Sequence, residues 1–228
     1  MLDLRPFASL GHFENDWLKA RHHFSFSDYH DPQRMGWGPL RVWNDDTIKA
    51  QSGFPPHGHA DMEIITYVRK GAISHGDSQG NRGRTAAGEV QVMSAGRGIR
   101  HSEMNLEAEE TQLFQIWIMP NARGLAPRWE ARTFPAGDGL VPIASGRGAA
   151  GALEIAQDAT LFAGHLKAGA RLGHDLKGRL GYLVPTVGAL QVGDVAVNAR
   201  DGLAIGELDT LELTATQDAV FVLADLPR

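Results

Sequence analysis

An all-β fold is what the sequence predicts, and three observations predict it. Apolar segments are short and bounded by Gly, Pro or Asp, the pattern of strands between tight turns. Sustained helical periodicity is scarce. The 228 residues include 27 Gly and 11 Pro without a collagen-like period, which favours many short strands. A β-sandwich or a closed barrel satisfies all three.

The strand segments follow in order. Residues 40–43, 63–68, 90–93 and 113–119 supply the first half, and 161–166, 181–185 and 219–223 the second. A short helix is expected over residues 150–156. Between the halves, residues 120–148 hold Pro120, Pro127, Pro135 and Pro142 with five glycines, and read as a long crossover with little regular structure. The boundary falls near residue 135, giving units 1–134 and 135–228. The units echo one another. Tyr67-Val68, Gly71 and Gly88-Glu89-Val90 are matched by Tyr182-Leu183-Val184, Gly188 and Gly202-Leu203-Ala204. Gly58-His59 is matched by Gly173-His174, which suits two copies of one β-unit, the second degraded.

Composition narrows the function. Hydrophobic residues make up 43% and charged residues 21%, the balance of a folded globular chain. There is no cysteine, so disulfides, thiolate zinc sites, iron–sulfur clusters and cysteine nucleophiles are excluded. A metal must be held by His, Asp or Glu. The net charge of −5, with no basic run, makes a nucleic-acid backbone a poor direct partner. No apolar stretch reaches membrane-spanning length, and residues 1–10 lack the apolar core of a signal peptide. A soluble, cytoplasmic monomer is the expectation. No phosphate-binding glycine loop ending in Lys-Ser or Lys-Thr occurs.

The chemistry concentrates in two segments. In Pro55-Pro56-His57-Gly58-His59-Ala60-Asp61-Met62-Glu63, the i, i+2 spacing places His57 and His59 on one face of a strand. In Gly96-Arg97-Gly98-Ile99-Arg100-His101-Ser102-Glu103, His101 and Glu103 repeat that spacing after a tight glycine turn. An isolated pair of either kind is more often hydrogen-bonded or solvated than metal-bound. Two pairs facing one another offer three imidazoles and a carboxylate, a set for a divalent first-row metal with coordination positions left open. Glu63 either competes with Glu103 for one position or orients a ligand histidine; its even parity with His59 leaves both open. His22 and His23 are adjacent, so they face opposite ways, and with Phe24 and Phe26 they read as packing around a buried, hydrogen-bonded histidine. His75, beside the turn Gly76-Asp77-Ser78-Gln79-Gly80-Asn81, reads as structural. His12, His30, His165 and His174 have no paired partner. Phe54 and Met62 either line a mouth or belong to the core.

At these residues the sequence resembles the cupin superfamily and, more closely, the pirin family. His57-x-His59-x-x-x-Glu63 up to Gly71, and Gly88, Gly96, His101 and Asn105, match the two cupin motifs. Arg21-His22-His23-Phe24-Ser25-Phe26, Asp61 to Tyr67, Asp77 to Asn81, Met93 to Glu103 and Pro120-Asn121-x-Arg123-Gly124-Leu125-x-Pro127 are similar to pirin segments. The resemblance implies a bicupin, two antiparallel β-barrels of jelly-roll type packed together, with one metal in the N-terminal barrel and a degenerate C-terminal barrel without metal. It implies His57, His59, His101 and Glu103 as the ligands, with Glu63 not a ligand. It implies iron as Fe(II), with manganese, nickel, copper, cobalt and zinc as further candidates. It also implies a dioxygenase that opens the central ring of quercetin-like flavonols with O2 and releases carbon monoxide, Glu103 accepting the hydroxyl proton. A non-catalytic metal-binding regulator of the kind associated with transcription in vertebrates is the alternative, and a cupin isomerase using the metal as Lewis acid is a third.

Overall fold

The computed structural model describes residues 1–134 and 137–228. In chain order the strands are β1 (Leu2–Arg5), β2 (Gly11–Glu14), β3 (Leu18–His22), β4 (Leu40–Ile48), β5 (Ser52–His59), β6 (Glu63–Lys70), β7 (Ala72–Asp77), β8 (Arg82–Ala86), β9 (Glu89–Ser94), β10 (Ile99–Asn105), β11 (Thr111–Ile118) and β12 (Arg128–Thr133). They continue with β13 (Gly139–Ser145), β14 (Leu153–Glu154), β15 (Thr160–Leu166), β16 (Arg171–Asp175), β17 (Leu180–Val187), β18 (Ala189–Val192), β19 (Val195–Asn198), β20 (Gly202–Ile205), β21 (Thr210–Ala215) and β22 (Ala219–Leu226). Among the described residues, no helix is long and apolar enough to cross a membrane.

The expected all-β architecture of two similar units is present, and each unit is a jelly-roll-like sandwich of two sheets. In the first, the seven-stranded sheet β12-β9-β6-β11-β4-β3-β2 is faced by β5-β10-β7-β8. In the second, β1-β20-β17-β22-β15-β13-β14 is faced by β16-β21-β18-β19. The two large sheets pack on each other through the largest apolar cluster, which joins Trp43, Ile65, Phe114 and Ile116 to Ile143, Leu161, Tyr182 and Val222. Strand alternation explains how one sheet serves two interiors. Ile65, Val92, Phe114 and Ile116 face the partner unit, while Thr66, Gln91, Gln115 and Trp117 stand next to them in sequence and point the other way. The second unit fills its interior with Leu183, Leu190, Leu203, Leu211, Leu213 and Phe221. The first divides its apolar side chains between two small clusters, one of Leu18, Ile48, Val68, Ile73 and Leu113 and one of Ile64, Met93, Ala95 and Ile99, and buries polar groups such as Thr66, Gln91, His101, Glu103 and Gln115 as well.

Two sequence expectations change. Residues 150–156 form no helix: Gly148 and Gly151 adopt positive φ (71° and 79°), a tight turn closes from Ala152 N–H to the Ala149 carbonyl, and Leu153–Glu154 pair beside β13. The 120–148 segment carries two strands, β12 on β9 and β13 on β15. Pro127 immediately precedes β12, and Pro142 stands where the β13 register slips. The boundary near residue 135 lies at Pro135 and Ala136, outside the described residues. One pairing crosses the units: β1 adds to β20 of the second sheet, Leu2 opposite Ile205 and Leu4 opposite Leu203.

Candidate metal centre

β5 and β10 are antiparallel neighbours with His101 opposite His57 and Ile99 opposite His59. Period-two alternation therefore turns His57, His59 and His101 onto the inner face. The turn entering β10 is closely packed. Gly96 has φ +48°, and a Cβ there would stand 2.1 Å from the Leu125 carbonyl oxygen, so only glycine fits. The three imidazoles converge with ring centroids 4.5–5.0 Å apart, and their donor atoms all lie within 4.8 Å of one another.

The hydrogen bonds settle which nitrogens face inward. His57 Nδ1–H donates to the Pro55 carbonyl at 2.8 Å, which leaves Nε2 as a lone pair. That Nε2 is 3.1 Å from Nε2 of His101. The other ring nitrogen of His101 is 3.5 Å from His75 Nδ1, and His75 Nε2 is 2.9 Å from the Asp77 carboxylate. His75 is stacked flat on Trp129, at 4.8 Å and 7°. Asp77 also accepts from the Gln79 and Asn81 amides. His59 has its ring edge-on to Trp117 at 4.9 Å. Burial holds His59 neutral down to about 4 and His101 to about 3, with the neighbouring imidazoles adding to both. Three neutral nitrogen donors aimed at one point fit a divalent transition metal.

Glu103 lies outside this three-donor group but lines the same cavity. The opposite sheet grips its carboxylate. Gln91 Nε2 donates to Oε1 at 2.7 Å, Gln115 Nε2 to Oε2 at 2.6 Å, and Thr66 Oγ stands 3.3 Å from Oε1. Burial still pushes the carboxyl up to about 7, against the pull of these donors. The cavity measures about 320 Å³ and is walled by Phe13, Trp17, Phe26, Phe54, Ile64 and Trp117. His57 and His59 are half-buried at its inner wall.

Other candidates fall elsewhere. Glu63 neither joins the histidines nor orients one: it accepts from Ser94 Oγ at 2.7 Å. Between His59 and Glu63 the chain turns through Asp61, at φ +47°, and changes sheets, so parity counted along one strand does not carry across. Phe54 lines the cavity, whereas Met62 packs with Ile64, Met93 and Trp117. His22 and His23 do face opposite ways, the first bonded to Asn44 at the cavity and the second to the Tyr182 hydroxyl between the units. His174 pairs with Asp225. The sequence reading missed His75, whose spacing to Asp77 is the same i, i+2 that marked the other pairs. It also missed Gln91 and Gln115, which no motif signals.

Comparison with known proteins agrees with this geometry. The Pirin family model matches residues 4–118, and the model of the quercetinase C-terminal cupin domain matches residues 142–226. A Caulobacter vibrioides protein named pirin-like protein is 54% identical over 230 residues, 99% of each chain. An Escherichia coli protein named quercetin 2,3-dioxygenase is 41% identical over 229 residues, 100% of this chain and 99% of its own. The crystal structure of the bacterial pirin YhhW from Escherichia coli in complex with nickel(II) has TM-score 0.96 and 41% identity, covering 100% of this chain and 99% of that one. With two cupin units and a three-histidine centre in the first, this chain belongs to the pirin family.

Proposed function

We propose that this protein is a metal-dependent dioxygenase that opens the central ring of quercetin-like flavonols with O2 and releases carbon monoxide. The observation that carries the reading is the apolar cavity above three converging imidazoles, sized at the lower end of the roughly 300–1,000 Å³ of small-molecule sites. The relatives named quercetin 2,3-dioxygenase support the same substrate class.

In this reading His57, His59 and His101 hold the metal and Glu103 completes the set, all within the N-terminal unit, residues 1–134. The C-terminal unit, residues 135–228, supports the first sheet from behind. Iron as Fe(II) is the proposed ion, and it supplies Lewis acidity and reactivity toward dioxygen. The protein supplies the rest. Trp17, Phe26, Phe54 and Trp117 pack the flat substrate and displace water. Glu103 accepts the proton of the 3-hydroxyl, its carboxylate lining the cavity beside the three histidines. Gln91 and Gln115 hold it in place while it does so.

The test is aerobic loss of quercetin absorbance by the iron-reconstituted protein beside His101→Ala. Turnover that vanishes in the variant supports the oxygenase. Iron bound without turnover moves the reading to a metal-binding regulator. Full turnover by Glu103→Ala with metal still bound removes Glu103 as the base.

A further inference from the structure

The cavity holds a second carboxyl that the metal centre does not use. β4 presents Asn44 and Asp46 to the cavity and Asp45 to the opposite side. Asp45 is fully paired there, with Arg69 and with Arg200 at 2.5 Å. Asn44 Oδ1 is bonded to His22 at 2.8 Å. Asp46 differs from both. It is 2% exposed and lines the cavity, and its Oδ1 has no hydrogen-bond partner among the described residues. Its cross-strand neighbours are Ala20 and Leu113, which can offer no side-chain hydrogen bond.

A buried polar atom without a partner destabilises a fold unless something else completes it. Glu103, in the same cavity, shows what a carboxyl positioned by the protein looks like here, held by two glutamine amides. No such cradle surrounds Asp46. Burial, with Asp45 and Glu103 nearby, keeps its carboxyl well above the usual carboxylate range. A protonated carboxyl both donates and accepts, which is the complement of a phenolic or enolic hydroxyl.

We propose that Asp46 is a substrate-binding residue, the anchor that hydrogen-bonds a ring hydroxyl of a polyhydroxylated aromatic ligand and so selects hydroxylated rings over bare ones. The assignment rests on reading the cavity as the substrate site. It makes Asp46 a residue kept at the expense of stability, which separates it from a structural role.

The experiment uses the Fe(II)-loaded protein without oxygen, with metal content measured for each variant. Quercetin is titrated into wild type, Asp46→Asn and Asp46→Leu, and the melting temperature of each is recorded. Asp46→Leu should bind at least about tenfold more weakly, while Asp46→Asn, whose amide also donates and accepts, should stay within about threefold. Both should melt at or above the wild-type temperature. Equal affinity in Asp46→Leu overturns the proposal, as does a fall in melting temperature in both variants, which would mark Asp46 as structural. Absence of quercetin binding by the wild type overturns it too. Admitting air separates the two readings: Asp46-dependent binding without turnover sinks the oxygenase and leaves the anchor, whereas turnover with affinity indifferent to Asp46→Leu sinks the anchor alone.

Discussion

His57 and His101 stand opposite each other across the β5–β10 ladder, 44 residues apart in sequence, with their Nε2 atoms 3.1 Å apart. Because His57 Nδ1–H is committed to the Pro55 carbonyl, its inward nitrogen is a lone pair. A cation between the two rings takes a lone pair from each inward nitrogen. Nickel(II) or iron(II) should therefore raise the melting temperature, by the equivalent of about 2.7 kcal/mol when free metal is 100 times its dissociation constant. A chelator should reverse the shift. His57→Ala and His101→Ala should abolish it, as scanning fluorimetry with added metal would show.

Glu103 gives the metal-free protein a particular pH dependence. Its carboxyl is held at about 7 in the fold against an ordinary value of 4.5. The folded state binds this proton more tightly than the unfolded chain does. The resulting stability is fully present below pH 4.5 and is lost as the pH rises through 7. Glu103→Gln should thus gain stability relative to wild type on going from pH 5 to pH 8. His59 and His101 act in the opposite sense, losing stability as pH falls below 6.5, and cancel in the comparison of wild type with variant. If Glu103 ligates the metal, loading at pH 6 should release about one more proton in wild type than in Glu103→Gln. Calorimetry in buffers of different ionisation enthalpy counts those protons.

His75 and Asp77 orient a proposed ligand. With His101 Nε2 on a metal, its Nδ1 carries a proton, so His75 Nδ1 must accept and His75 Nε2–H must donate to Asp77. Asp77→Asn disturbs that chain, and His75→Phe removes it. Each should weaken metal binding by about 10–100-fold. Nitrogen NMR of the zinc-loaded protein should show the His75 tautomer shared by wild type and lost in Asp77→Asn. Unchanged metal affinity in both variants would leave His75 as packing against Trp129.

The contact between units can be weighed separately from the site. Trp43→Ala removes a fully buried ring from the shared core and should cost about 3–5 kcal/mol. Tyr182→Phe leaves His23 Nδ1 without its hydroxyl partner, 2.9 Å away, and should cost about 1–3 kcal/mol. Urea unfolding measures both, and metal affinity should be little changed in the second.

Much of the site was legible because its chemistry is local. His57 with His59, and His101 with Glu103, announce themselves by i, i+2 spacing within single strands, and Gly96 by the turn that feeds β10. The same rule, applied to His75 and Asp77, would have marked them as well. Glu63 misled because parity holds only within one strand, and Asp61 ends that strand's direction. The strand at Arg128–Thr133 was obscured by the prolines and glycines around it.

By itself, the sequence determined the all-β class, the absence of thiol chemistry, the two-unit plan and the histidines that converge. These follow from residue type and short-range periodicity. Only the tertiary structure decided the opposition of His57 to His101, the glutamine grip on Glu103, the isolation of Asp46 and the transfer of β1 to the second sheet. Each depends on pairing between residues far apart in the chain. Such pairing is set by how whole sheets bury their apolar faces, a balance summed over many side chains that no local pattern records.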